Sequence, residues 1–364
     1  MAGIGLVATG QGGWLGQGPL PIGPRYPRWR PTCRYGKRDR LMSEKFIVTG
    51  GAGFIGSNLV QGLNARGQTD IIVVDDLNHP DKQRNLERVE FSEYQDKAEF
   101  RSMLRENRVP RVDGVFHLGA CSSTMETDEA YLKDNNYQYT RDLCEWSLRT
   151  GARFVYASSA ATYGDGSQGY SDADEVTPTL APLNGYGRSK QMFDEWALET
   201  GVLDKIVGLK FFNVYGPWED HKGAMRSLVH KSYGQVVGEG KITLFKSHRS
   251  DYRDGEQDRD FVYVSDAVAV SLFFYDHPEV SGLFNCGTGV ARTWVDLAAA
   301  LFAAAGLPTE IVFVDMPESI RDKYQYHTQA EMSKLRGAGY DAPFVSIEEG
   351  VRRYVQEYLA KQVG

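Results

Sequence analysis

Short, uniformly apolar runs alternate along this chain with longer stretches of helical period. Phe46-Ile47-Val48, Ile71-Ile72-Val73-Val74-Asp75, Gly114 to Leu118, Arg153 to Ala157 and Ile206 to Phe211 read as strands. Their apolarity is continuous rather than alternating, which marks strands covered on both faces. Between them Ser57 to Leu63, Tyr131 to Thr150 and the stretch after Tyr186 read as helices. Alternating strands and helices predict an α/β fold with a doubly wound parallel sheet. Further on, Leu297 to Phe302 and Ile347 to Leu359 read as helices packed through Leu, Phe, Val and Tyr, and are assigned to a smaller C-terminal α/β part.

Composition refines this picture at one end. The chain has 364 residues, 41% hydrophobic and 24% charged, which suits a globular protein of two lobes. Residues 1 to 41 stand apart: rich in Gly and Pro, they hold seven Lys or Arg against the single acid Asp39. They are expected to be a disordered extension, or to precede a true start at Met42, because their Gly and Pro spacing defeats an amphipathic helix. Removing that surplus of +6 from the whole-chain −7 leaves about −13 on the remainder, so no nucleic-acid partner is expected. No run of about 18 apolar residues exists, so no membrane span is expected. Cys33, Cys121, Cys144 and Cys286 are widely spaced without a CxxC pair, which suits a reducing cytoplasm and no structural zinc. With no HExxH or paired HxH spacing either, no metal is expected.

The first strand runs into Thr49-Gly50-Gly51-Ala52-Gly53-Phe54-Ile55-Gly56. Glycines at 50, 53 and 56 let a chain turn sharply, approach a pyrophosphate and pack helix on strand, while the helix N-terminus offers free N–H groups to the anion. The next strand ends at Asp75, 19 residues after Gly56, where a ribose hydroxyl is gripped in dinucleotide sites. Asp75 and Asp76 would repel a 2′-phosphate, whereas Lys82 and Lys97 would pair with it or simply be solvated. These residues leave NADP or NAD open.

A second chemistry lies downstream. Tyr186-Gly187-Arg188-Ser189-Lys190 sets a phenol and an ammonium on one helix face at i and i+4. A neighbouring cation lowers a phenol's pKa from about 10, which would make Tyr186 a general base. Ser158-Ser159, at a strand's carboxyl end just upstream, can hydrogen-bond a reacting oxygen or serve as a turn serine. Lys222, in a glycine-flanked loop, reads from the residues alone as a phosphate ligand. His221 beside it reads as a bystander or a hydrogen bonder. Arg259 and Arg292 are candidate diphosphate clamps. Trp218, Phe245 and Tyr324 would stack on a base, cover a sugar, or belong to core or rim.

TGGAGFIG at 49 to 56, SSAATYG at 158 to 164 and YGRSK at 186 to 190 together resemble the extended short-chain dehydrogenase/reductase family. HLGACSST at 117 to 124, DNNYQY at 134 to 139, FFNVYGP at 211 to 217, HKGAM at 221 to 225, RDFVYV at 259 to 264, FNCGTG at 284 to 289 and YQYHTQAEM at 324 to 332 sharpen it to that family's epimerases of ADP-heptose. The similarity runs from about residue 45 to the end. It implies a Rossmann-like NADP-binding domain from 42 to 211 plus about 259 to 285, and a substrate domain from 212 to 258 plus about 286 to 364. It further implies Tyr186 and Lys222 as acid/base residues, Lys190 as partner of Tyr186 and nicotinamide-ribose ligand, and Ser159 as orienter of the oxygen. Gly50, Gly53, Phe54, Ile55, Gly56, Asp75, Asp76, Lys82, Lys97, Leu118, Gly119, Ala120, Cys121, Ser122, Asn135 and Val214 match the cofactor shell, and the family pattern is NADP-dependent. Ser159, Asn213, Ala224, Lys231, Phe245, Arg259 and Tyr324 match substrate positions.

Three departures stand out. Ala224 replaces a common serine, Asp76 replaces a frequent asparagine and keeps NAD in play, and the loop Lys246 to Asp258 is longer than in some relatives. The implied reaction is inversion at heptose C6 through a 6-keto intermediate in lipopolysaccharide core precursor synthesis. The implied assembly is a ring-like homo-oligomer, with a pentamer one candidate. The rivals are a 4-epimerase or dehydratase of the same family and a non-catalytic NADP(H)-binding regulator. The absence of an acidic pair after Ser159 disfavours a dehydratase, and the joint presence of Ser159, Tyr186 and Lys190 disfavours a regulator.

Overall fold

The computed structural model describes residues 44–321 and 324–362. The expected extension, residues 1 to 41, and Cys33 within it lie outside the described residues, as does Met42.

Ten elements open the chain: β1 (Phe46–Thr49), α1 (Phe54–Ala65), β2 (Ile71–Asp75), α2 (Pro80–Leu86), β3 (Glu93–Asp96), α3 (Lys97–Arg105), β4 (Gly114–His117), α4 (Glu129–Leu132), α5 (Tyr139–Thr150) and β5 (Arg153–Ser159). Then come α6 (Gly185–Glu199), β6 (Val207–Phe211), β7 (Asn213–Tyr215), α7 (Leu228–Glu239), β8 (Ile242–Phe245), β9 (Asp258–Tyr263), α8 (Val264–Asp276) and β10 (Gly282–Cys286). Last are β11 (Ala291–Thr293), α9 (Trp294–Ala305), β12 (Ile311–Val314), α10 (Glu318–Arg321), α11 (Ser333–Gly337) and α12 (Ile347–Tyr354).

Seven strands form one parallel sheet in the order β10-β6-β5-β4-β1-β2-β3. This is the doubly wound fold the apolar runs predict, and the reason is visible residue by residue. Successive strand residues point to opposite faces. Phe46, Val48 and Val73 therefore enter one core with Leu59, Val60 and Leu63 of α1 and Val268 and Leu272 of α8. Ile47, Ile72 and Val74 enter the other core with Phe100 of α3, Leu143 of α5 and Phe193 of α6. Both faces are covered, so every residue of β1 and β2 is buried, the polar strand-end residues Thr49 and Asp75 included. A Cβ at Gly62 would lie 2.7 Å from Val268, which is why α1 and α8 can press so close.

Two differences from the predicted elements have local causes. The helix expected from Ser57 begins at Phe54, since the glycine turn closes within four residues. The helix expected over Tyr131 to Thr150 is interrupted by a π-helical stretch, Lys133–Gln138, between α4 and α5, and such bulges recur at functional sites. Of the segment 259 to 285, α8 and β10 join the layers of the large sheet. In contrast, β9 pairs with β7 and β11 in a separate three-stranded sheet. A third core gathers Tyr233 of α7, Leu297 and Leu301 of α9 and Val351 and Tyr354 of α12.

The chain order reverses between β1 and β4, which puts a crevice at the carboxyl ends of the central strands. Thr49, Asp75, His117 and Ser159 all end strands of this sheet.

Candidate active site

The glycine loop after β1 is tight enough to exclude side chains. Gly50 has φ +67°, and a Cβ there would lie 2.7 Å from the Gly119 nitrogen. A Cβ at Gly56 would lie 2.0 Å from the Gly50 oxygen. Gly53 precedes α1 with no side-chain cap, and the first turn holds no acid, so the helix's leading N–H groups and positive dipole end face outward for an anion. The loop is tied to its neighbours: Asp75 accepts from Ala52 N–H at 2.9 Å, and Thr49 Oγ1 accepts from Gly119 N–H at 3.1 Å.

Asp75 and Asp76 do not stand alone. Lys82 donates to Asp75 at 2.9 Å and to Asp76 at 2.5 Å, and Lys97 donates to Asp76 at 3.2 Å. Two ammonium groups and two carboxylates thus share one corner. The Asp76 carboxyl lies below its usual range: burial works to raise it, and the bonds and charges of Lys82 and Lys97 outweigh that.

At the other end, Asn184 caps α6 by accepting from Gly187 N–H at 2.8 Å, which fixes Tyr186 in the first turn. Lys190 is buried and donates to the Ala157 carbonyl at 2.8 Å. Burial pulls its ammonium down to about 8, with Asp194 opposing. The Tyr186 phenol is pushed up by burial, against a hydrogen bond with Ser159 that lowers it. This corrects the expected downward shift: the Lys190 ammonium is turned to a carbonyl, and desolvation outweighs the remaining help. Behind Ser159 lies a sealed network in which Asp194 accepts from Ser158 at 2.6 Å, Tyr156 at 2.9 Å and Lys210 at 3.1 Å. A buried carboxylate so paired rigidifies the strand end that carries Ser159.

A cavity of about 480 Å³ joins these parts, lined by Gly50, Gly53 to Gly56, Asp75, Asp76, Lys82, Lys97, Leu118 to Ser122, Asn135, Ser159, Tyr186, Lys190, Val214 and Lys222. Lys222 comes from the turn after Glu219, with its ammonium 5.0 Å over the Phe54 ring.

Residues 46–287 match the NAD dependent epimerase/dehydratase family. The chain belongs to that family. It is 52% identical over 316 residues to the ADP-L-glycero-D-manno-heptose-6-epimerase of Nitratidesulfovibrio vulgaris strain DP4, covering 86% of this chain and 98% of the relative. Among solved structures, the Helicobacter pylori ADP-L-glycero-D-manno-heptose-6-epimerase superposes with TM-score 0.71 at 28% identity, over 86% of this chain and 95% of that one. UDP-glucose 4-epimerase of Thermotoga maritima, solved with UDP-glucose, gives TM-score 0.72 at 30% identity, over 88% and 100%.

This family member does not bring every expected residue to the cavity. Asn213, Ala224, Lys231, Phe245, Arg259 and Tyr324 are not among the residues lining it. Arg259 is buried, donates to the Asp258 carbonyl at 2.7 Å and to the Gln325 carbonyl, and lies 5.2 Å from the Tyr324 ring and 5.7 Å from Trp294. Arg292 pairs with Asp296 and Glu348 and is not among the residues lining the cavity. Trp218 is core. Conversely, Tyr131, Tyr139, Phe212 and Met225 line the cavity without having been singled out for it, and Ser158 and His221 join them there. Tyr139 lies inside the quoted DNNYQY segment, which was the available signal.

The residues fit the nicotinamide dinucleotide that the family description implies. The cradle has no room for Cβ atoms at Gly50 and Gly56, and the buried hydroxyl of Tyr139 and the buried Nδ1 of His221 have no partner among the described residues, as polar atoms waiting for a ligand would. No helix among the described residues is long and apolar enough to cross a membrane.

Proposed function

We propose that this chain epimerises ADP-D-glycero-β-D-manno-heptose to ADP-L-glycero-β-D-manno-heptose at heptose C6, supplying a lipopolysaccharide core precursor in the cytoplasm of a Gram-negative bacterium. The observation that carries this is one cavity lined by Ser159, Tyr186, Lys190 and Lys222 beside the glycine loop. The 52% identity over nearly the whole relative favours the heptose over the 4-epimerase reading at 30%.

The C6 hydrogen is far too weakly acidic for a side chain to remove, so inversion requires a 6-keto sugar. A nicotinamide held beside Tyr186 and Lys190 would supply reversible hydride transfer at C6. Tyr186 takes the hydroxyl proton while C6 is oxidised. The Lys190 charge and the Ser159 hydroxyl stabilise the oxyanion that develops. Lys222 handles the proton at a second position, so that the ketone can be reduced on its other face. Glycines 50, 53 and 56 and the α1 N-terminus hold the pyrophosphate, Asp75 the ribose, and Leu118 to Ser122, Asn135 and Val214 the remaining shell. The cofactor proposed is NADP, with its 2′-phosphate on Lys82 and Lys97 in competition with Asp76. Asn213, Ala224, Lys231, Phe245, Arg259 and Tyr324 are proposed to hold the sugar nucleotide, in the domain comprising 212 to 258 and about 286 to 364, and the working form is proposed to be a homo-oligomer.

The test is incubation of pure protein with the D,D sugar nucleotide labelled with deuterium at C6, the two epimers being resolved. Interconversion with label retained is expected. Washout of label at the rate of turnover refutes the hydride scheme, and inertness toward this sugar with activity on another retires the heptose.

A further inference from the structure

Lys222 sits on a turn, Asp220–Met225, that contributes no buried residue. Such a segment wanders unless something outside it holds it. The anchor is the residue just before. Glu219 is fully buried, and its two oxygens accept from Ser227 N–H at 2.7 Å, the Ser227 hydroxyl at 2.5 Å and the Tyr354 hydroxyl at 3.0 Å. The Lys222 ammonium lies 3.6 Å from the same carboxylate. A buried carboxylate persists only when its oxygens are bonded and its charge is met, so the energetic demands of Glu219 dictate where Lys222 stands.

The flanks point the same way. Trp218 holds φ +76°, unusual for a bulky residue and maintained only where the surroundings impose it. Its carbonyl accepts from Asn85 at 3.1 Å and Arg88 lies over its ring. On the other side Asp220 accepts from His230 at 2.8 Å and from Tyr358.

We propose that Glu219 is the positioning residue that sets the place and charge of Lys222, and that Tyr354, 135 residues along the chain from Glu219, is the clasp that keeps Glu219 in place. This rests on the reading of Lys222 as an acid/base group. Burial pulls the Lys222 ammonium below its usual range, Glu219 opposes that, and Lys231 adds to it. The other titratable groups nearby are His221 and Asp220 on the turn, His230 and Lys231 of α7, Lys82 of α2, Tyr354 and Tyr358 near the C-terminus, and Tyr186 and Lys190 in the cavity wall. Asp220 is engaged with His230 and Tyr358, which leaves Glu219 as the anion serving Lys222.

The experiment is competitive acylation of Lys222 across pH in the full-length protein with its nicotinamide cofactor bound, read by mass spectrometry. Glu219→Gln keeps the size and loses the charge. Its Lys222 labelling midpoint is expected to fall by roughly one pH unit, and the kcat/KM limb belonging to Lys222 should move with it. An unmoved midpoint overturns the proposal. If Glu219→Gln does not fold, Tyr354→Phe decides: several-fold lower kcat at unchanged KM is expected, and wild-type kcat overturns the clasp. Full turnover by Lys222→Met would sink the acid/base reading itself, whereas an inactive Lys222→Met with an unmoved midpoint in Glu219→Gln sinks only the positioning role.

Discussion

Replacing Asp76 by asparagine should shift the protein toward NADP. In the structure Asp76 holds Lys82 at 2.5 Å and Lys97 at 3.2 Å, the two cations a 2′-phosphate would need. Two unit charges about 4 Å apart interact by ~1 kcal/mol in water and ~4 kcal/mol at an effective dielectric of about 20. Asp76 and Lys97 are near one-third exposed, at 32% and 29%, so the weaker end of that range applies. Freeing Lys97 and leaving Lys82 to Asp75 alone is then worth about 1 to 2 kcal/mol, or roughly a 5- to 30-fold change in the NADP to NAD affinity ratio. Asp75 must stay, because it also accepts from Ala52 N–H and Asp76 N–H and its loss would disturb both cofactors. The assay is calorimetric titration of the cofactor-free protein with NADP⁺ and NAD⁺ at low and high salt. The gain should shrink with salt, as screened charges require. An unchanged ratio in Asp76→Asn, or NADP binding untouched by removing both Lys82 and Lys97, would refute the reasoning.

Tyr186→Phe should bind cofactor normally and lose roughly 10²- to 10⁴-fold in kcat, measured as epimer interconversion; a regulator would keep its partner response. Lys222→Met should keep substrate affinity in equilibrium titration and slow inversion by a similar factor, while weaker binding at unchanged turnover would make Lys222 a clamp. Gly56→Ala would drive a methyl to 2.0 Å from the Gly50 oxygen, so cofactor affinity should drop at least about tenfold, and a wild-type Kd would mean that the loop is looser than described. Burial, helped by the Lys190 charge, holds the His117 imidazole down at about 3 from its usual 6.5. Its folded pKa lies below the unfolded one, so this stability is present above about pH 6.5 and is lost as pH falls toward about 3, by up to ~1.4 kcal/mol per pH unit. Denaturant titrations across that window should show a shallower slope in His117→Gln, and an equal slope would exclude this histidine as the source.

The strands were readable because burial on both faces leaves no choice of residue: Ile71 to Val74 can be little else than a central strand of a covered sheet. The glycine loop was readable for a related reason, since Gly50 and Gly56 mark backbone contacts that no side chain survives. That Tyr186 and Lys190 lie one turn apart on α6 needed only the helical repeat, which is local. What escaped was everything made by approach across the sequence. That Lys82 and Lys97 are already engaged by Asp75 and Asp76, that Asp194 gathers Ser158, Tyr156 and Lys210, and that Tyr354 reaches Glu219 has no periodicity to betray it.

The direction of the Tyr186 shift shows the division most clearly. Chain chemistry alone determined which groups could exchange a proton and where the glycines had to be, because those depend on residue type and short spacing. Only the packed structure decided how far each group is desolvated and which way its partner turns, since burial and charge act through space rather than along the chain.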